Sequence, residues 1–235
     1  MCTLSWVPQD GGYTLAFNRD ERRTRVAGVP PSRTIRNGVP VLLPHDPDGG
    51  GSWISLNATG HTLALLNRYE DTPHDSAGEY QSRGELVSAM AGLAGSAEVA
   101  AGLEAVTLGS YRPFTLASVA REQAPKLFEW NGSELLVAQV SNAGLVRASS
   151  GSDQAAAESA RGAVFLELGD RLTGADLLAL HRSHLPEASA LSICMHRNDA
   201  QTVSLSHITV TRSHLLFRYV IGSPCLSSDI SEHTL

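Results

Sequence analysis

Charge is scarce in this chain. Only 18% of the 235 residues are charged, the net charge is −6, and no block of Lys or Arg occurs. Binding a phosphate backbone needs clustered positive charge, so nucleic acid is not an expected partner. Long apolar runs are missing too. The longest, 62–66 and 191–195, fall far short of the roughly 20 residues of a membrane-spanning helix, so no membrane span is expected. The opening Met-Cys-Thr-Leu-Ser-Trp lacks the basic and apolar regions of a secretory signal, and it is not an Arg-rich amphipathic transit segment. Cysteine is sparse: Cys2, Cys194 and Cys225 are odd in number and widely spaced, which is no disulfide framework. No CxxC and no Cys/His metal spacing is present. The expectation is a reduced, cytoplasmic protein without a metal or a resident cofactor. No Gly-rich loop has phosphate-binding spacing, because Gly49-Gly50-Gly51 leads into a strand rather than a helix N-terminus.

What is present suffices for a packed core. Apolar residues make up 42% of the chain, and the composition is globular. Short strand-like runs at 3–7 and 13–17, separated by Gln9-Asp10-Gly11-Gly12, read as a hairpin. The stretch 26–51 is rich in Pro and Gly and reads as a long irregular connection. A second hairpin is expected from 52–56 and 62–66. Leu86, Met90 and Leu93 share one face of a helix predicted over 82–93. Ser96 is placed to cap a second helix running to Val106. Strands are predicted at 114–120, 126–130 and 135–140, helices at 155–168 and 174–184, with Thr173 capping the latter. The end is strand-rich, at 191–196, 202–210 and 215–220. Segregated blocks of this kind imply α+β layers rather than alternating βαβ units.

Chemistry centres on Cys2. Its side chain is small enough for methionine aminopeptidase to remove Met1 ahead of it. An N-terminal cysteine then carries a nucleophile and its own base, since a free α-amine, which ordinarily titrates at about 7.7–8.0, accepts the thiol proton near neutrality. Taken alone, Cys2 reads as an ordinary residue of the first strand. Asn18-Arg19-Asp20-Glu21 follows the second predicted strand, and a hairpin would bring it beside Cys2. As a solvated turn it would mean nothing. Beside a thiol, Arg19 would favour the thiolate by charge and Asp20 would orient the amine or the sulfur. Arg22, Arg23 and Arg25 are expected to face solvent or pair with acidic residues.

These residues carry a resemblance. Met-Cys-Thr at the start followed by Asn-Arg-Asp-Glu at 18–21 resembles the signature of the NRDE family, the transport and Golgi organisation protein 2 family. Further matches keep their order: Gly49-Gly50-Gly51-Ser52-Trp53; Asn57, Gly60 and Asn67; Ser82-Arg83-Gly84-Glu85-Leu86; the Tyr111-x-Pro113-Phe114-Thr115-Leu116 stretch; and Ser141-Asn142. The family is similar to the N-terminal-nucleophile hydrolases, among them bile-salt hydrolases and penicillin V acylases. The resemblance implies a single domain over 1–235, built as a four-layer αββα sandwich. It also implies a catalytic set of Cys2, Arg19, Asp20, Asn67 and Asn142, with the two asparagines donating to an oxyanion. Arg197 stands where a late arginine completes the site. Asn57, before Ala58-Thr59-Gly60, reads instead as a turn residue. The chain departs from the family pattern after Asn142, with Ala143-Gly144-Leu145-Val146-Arg147, and again at Ile193-Cys194-Met195-His196-Arg197-Asn198.

Two functions follow. One is an amidase or thioesterase acting on a small-molecule acyl substrate through an acyl-Cys2. The other is a non-catalytic carrier of haem or acyl-lipid, with haem as the ligand under that alternative. No Cys-Pro haem motif is present. His181 and His184 are three apart on a predicted helix, while His45, His61, His74, His196, His207 and His214 are scattered. Lone histidines are more often surface or core groups than ligands. Trp53 and Trp130 read as core or rim aromatics.

Overall fold

The computed structural model describes residues 2–69, 80–141, 143–169 and 172–235. Among the described residues, two antiparallel sheets and four α-helices give the α+β class expected from the segregated blocks. The chain divides into two compact units. Gly28–Ser141 forms one and is inserted into the other, which runs up to Ala27 and resumes afterwards as far as Thr234.

The chain opens with β1 (Cys2–Gln9) and β2 (Gly12–Arg22), paired from Cys2↔Arg19 to Gln9↔Gly12. The tight turn relies on Gly11 at φ 68°, a conformation that glycine adopts without steric cost. β2 is longer than the predicted 13–17, because Asn18, Arg19 and Asp20 continue the strand as buried residues rather than forming a turn.

The inserted unit carries β3 (Val29–Arg36), β4 (Val39–His45), β5 (Ile54–Asn57), β6 (Thr62–Asn67), β7 (Phe114–Val119), β8 (Lys126–Trp130) and β9 (Leu135–Gln139), hydrogen-bonded in that order. The irregular connection expected at 26–51 is thus largely a hairpin. It turns at Asn37-Gly38, both at positive φ (51° and 77°). Its prolines hid it, yet Pro30 and Pro31 lie on β3, an edge strand where a missing N–H is tolerated. Helices α1 (Gly84–Met90) and α2 (Ser96–Glu104) bring Leu86, Val87, Met90, Val99 and Leu103 onto Leu63, Leu65, Phe114, Leu116 and Phe128 of the sheet. Gly51 lies against the Gly84 backbone so closely that no Cβ would fit. Ser96 does not cap α2. The N-cap is Gly95, and the Ser96 hydroxyl meets that of Ser118 at 2.9 Å.

The first unit resumes with β10 (Gly144–Ser149), α3 (Gln154–Leu168), α4 (Gly174–Arg182), β11 (Ala200–Val210), β12 (Leu215–Ile221) and β13 (Ile230–Thr234). Its sheet order is β10-β1-β2-β11-β12-β13, so β2 lies between β1 and β11. Thr173 caps α4 as expected, in a reciprocal box with Asp176. The helices bury Val164, Phe165, Leu177 and Leu180 against Val7, Ala16, Leu205 and Val220. Residues 191–196, predicted as a strand, form a buried loop. Ile193 and Cys194 donate their N–H groups to Leu185 and Ser183 at 3.0 and 2.9 Å, so the apolar run marks burial and not sheet pairing. Among the described residues, no helix is long and apolar enough to cross a membrane.

Candidate active site around Cys2

Strand pairing decides which side chains meet. Directly opposed residues of an antiparallel pair share a face, and neighbours along a strand alternate. Cys2 lies opposite Arg19 on β2 and Ser149 on β10, while Thr3 lies opposite Asn18. Asp20 therefore shares the Thr3 and Asn18 face, which α3 and α4 cover, and Cys2 and Arg19 share the other.

The half-buried Cys2 has a thiol whose pKa is pushed up, first by burial and then by the charge of Asp20. The N-terminal ammonium charge, the Asp20 backbone N–H and the Arg19 charge, in that order, pull the other way. Arg19 thus acts in the anticipated direction, but desolvation outweighs it and the resting thiol is protonated. Arg19 is itself 5% exposed and reaches Glu21 at 3.3 Å, and Glu21 also binds Arg25 at 2.7 Å. Part of the guanidinium charge is spent on that carboxylate.

Behind Cys2 stands a residue that sequence reasoning missed. Arg161 of α3 is wholly buried. It donates to the Cys2 carbonyl at 3.2 Å, the Thr3 hydroxyl at 2.6 Å, the Leu191 carbonyl at 3.2 Å and Asp20 Oδ2 at 3.5 Å. Asp20 Oδ1 accepts from the Thr202 hydroxyl at 2.6 Å, and that oxygen accepts the Met195 N–H at 2.8 Å. Both side chains of the Asp20–Arg161 pair are fully inaccessible to solvent. A buried charge this well bonded holds geometry, since neither ion can leave without stranding the other. The available signal was the position of Arg161 on the buried stripe of α3 with Ala157, Val164 and Phe165. A cation on such a stripe requires a buried anion.

Asn18 completes the support by donating to the carbonyls of His181 and Ile193, both at 2.9 Å. Cys2 and Arg19 are therefore brought together on one face, and Asp20, on the other, is tied to the Cys2 backbone through Arg161 and to β11 through Thr202. Arg197 is engaged elsewhere, in a double hydrogen bond to Asp199 at 2.9 and 2.8 Å on the turn into β11. Asn67 ends β6 in the inserted unit and donates to the Tyr69 hydroxyl at 3.0 Å. Asn142, Met1 and His74 lie outside the described residues. Asn57 is committed to its turn, accepting from Thr59 and His61 and donating to Ala91 and Leu93.

The histidines divide. His61, His181 and His207 are buried and neutral, and burial lowers the pKa of each, that of His181 to about 3. His184 and His196 instead converge with Cys194 and Cys225, one ligand atom from each lying within 4.8 Å of the others.

No curated protein matches the chain in sequence. Solved structures do match in fold. The penicillin V acylase of Agrobacterium tumefaciens superposes with TM-score 0.58 at 10% identity, covering 100% of this chain and 86% of its own. A mutant conjugated bile acid hydrolase of Clostridium perfringens gives TM-score 0.59 at 11% identity, covering 100% and 92%. The Caenorhabditis elegans ortholog of N-acylethanolamine-hydrolyzing acid amidase gives TM-score 0.59 at 12% identity, covering 96% and 94%. At such identities the likeness establishes the fold alone, the N-terminal-nucleophile hydrolase type. The profile of the family described as Transport and Golgi organisation 2 matches residues 1–158, well over half of the chain. With Cys2 and Asn18-Arg19-Asp20-Glu21 inside the matched region, the chain belongs to the Transport and Golgi organisation 2 family.

Proposed function

We propose that the chain is an N-terminal-cysteine hydrolase that cleaves an amide or thioester by acyl transfer to Cys2. The observation carrying this reading is the Cys2–Arg19 pair backed by a fully buried Asp20–Arg161 ion pair that also grips the Cys2 carbonyl. A greasy carrier has no use for such a rigid mount under one sulfur. The names of the similar structures, an acylase, a hydrolase and an acid amidase, agree with acyl chemistry.

The mechanism follows from the protonated resting thiol. A thiol held above its ordinary pKa needs a base in contact, and the α-amine of Cys2 supplies one once Met1 is gone. The amine takes the proton, the sulfur attacks the acyl carbon, and negative charge develops on the carbonyl oxygen. On the family resemblance alone, Asn67 and Asn142 are proposed as donors to that oxygen. The amine then protonates the leaving nitrogen or sulfur, and water releases the acyl group by the reverse sequence. Arg19 and Asp20 set the electrostatics of the sulfur, while Arg161 positions the Cys2 backbone.

The test is hydrolysis of a panel of N-acyl amides and acyl thioesters by the wild-type chain and by Cys2→Ala. Turnover by the wild type that vanishes in Cys2→Ala, with circular dichroism unchanged, is the expected result. Equal turnover by both would remove Cys2 from the chemistry.

A further inference from the structure

The two cysteines that acyl transfer leaves unused meet two histidines in one cluster. His184 follows the C-terminus of α4, Cys194 and His196 lie on the buried 191–196 loop, and Cys225 lies on the connection from β12 to β13. The Cys194 sulfur is 3.8 Å from His196 Nε2, and that nitrogen is 3.1 Å from the Cys225 sulfur. The His184 and His196 rings stand edge to face, 5.0 Å apart at 82°. All four ligand atoms lie within 4.8 Å of one another. A tetrahedral zinc ion with bonds of about 2.0–2.3 Å separates its ligands by roughly 3.5 Å, the spacing approached here.

We propose that His184, Cys194, His196 and Cys225 form a structural zinc site with two thiolate and two imidazole ligands. Two sulfurs and two ring nitrogens are the donor set that suits zinc among the common divalent ions, and four protein ligands close the tetrahedron against catalysis. On binding, both thiols lose their protons to solvent, and the two thiolate charges balance the dication. The exposed His184 provides the route in.

The backbone around the ligands is held independently of any ion. The Cys194 N–H donates to Ser183 O at 2.9 Å and the Ile193 N–H to Leu185 O at 3.0 Å, bracketing His184. Arg182 donates to the carbonyls of Pro224 and Ser227 at 3.0 and 2.6 Å, bracketing Cys225. The Ser192 hydroxyl donates to Cys194 O at 2.8 Å. The same loop carries Met195, whose N–H bonds the Thr202 hydroxyl that holds Asp20, and Ile193, whose carbonyl receives Asn18. Zinc at this point clamps the loop that braces the Cys2 site. The sequence spacing concealed the set because the ligands come from three separated segments.

The test is metal analysis of the reduced full-length chain after zinc loading and gel filtration, with thiol counting before and after chelation. About one zinc per chain is expected. Of the three thiols, that of the half-buried Cys225 should react only after the chelator is added, whereas Cys194 is buried with or without the ion. His184→Ala removes an exposed ligand at little risk to folding and should weaken zinc binding by about tenfold or more. Cys225→Ser should weaken it as well, while Cys2→Ala and His214→Ala should keep full occupancy. Cobalt loading should give the visible absorption of a tetrahedral thiolate complex. Folded, reduced protein that retains no zinc, zinc retention indifferent to His184→Ala, or a Cys194–Cys225 disulfide in the freshly isolated chain would each overturn the proposal. Because Cys2→Ala is expected to retain zinc, failure of this site and failure of the acyl-transfer reading are distinguishable.

Discussion

Arg161 reaches Cys2 and Asp20 across a wide sequence separation, and its place on the buried stripe of α3 calls for an anion without saying which one. The approach of Arg19 to Cys2 was legible because hairpin pairing is a short-range consequence of two strands and a tight turn. Arg161 was not, because it is brought in by packing of α3 on the sheet. Removing it strands the Asp20 carboxylate in a place without water, where an unpaired charge costs about 3–5 kcal/mol. Arg161→Met is therefore expected to lower unfolding free energy by about that amount in urea titrations. Adding Asp20→Asn should recover part of the loss, as removing both charges leaves no orphan. A loss in Arg161→Met of a few tenths of a kcal/mol would mean that the pair is not buried as described.

At the scale of elements, the strongest sequence signals concerned ends and turns, and the weakest concerned edges. Thr173 was readable as a cap because a side-chain oxygen before a helix meets an unpaired N–H, and it bonds both the backbone and the side chain of Asp176. Thr173→Ala is expected to lower the unfolding free energy in urea titrations by about 1 kcal/mol, and Thr173→Ser by close to nothing. Equal effects from both would show that the box contributes little. The edge strands were harder. β3 hides behind prolines that only an edge tolerates, and β13 alternates polar residues with little apolar weight. The 191–196 loop misled in the opposite sense, since Ile193, Cys194 and Met195 are buried without joining a sheet. Hydrophobic runs report burial first and secondary structure second.

For the whole molecule, three buried histidines set the response to acid. His61 donates Nδ1–H to the Leu93 carbonyl and accepts from Ser118, both at 2.7 Å; His181 meets the Ser5 hydroxyl at 2.7 Å; His207 bonds the Gly174 carbonyl at 3.1 Å. Each has a folded pKa below its unfolded value of 6.5, that of His181 at about 3. The unfolded chain then binds more protons between those limits, so stability is complete above the unfolded value and falls as pH drops toward the folded one. Each titrating histidine contributes a slope of about 1.4 kcal/mol per pH unit in that window. Urea midpoints should be flat above about pH 7 and decline steadily below about pH 6, and His181→Leu should flatten the decline. A midpoint unchanged down to about pH 4 would mean that these rings are not held neutral. The segregation of strands and helices made the α+β class legible. The division into two units was not, because the inserted unit interrupts a sheet whose strands lie far apart in sequence.

The central claim is that Cys2 becomes a nucleophile with its own free amine as base. Intact mass spectrometry of the chain from its native source, before and after brief exposure to a thioester acyl donor, tests it most directly. The account predicts a mass lacking Met1 and, after exposure, a single acyl adduct that peptide mapping places on the Cys2 sulfur and that Cys2→Ala abolishes. A chain that retains Met1 in most molecules and takes up no acyl group at Cys2 would contradict it.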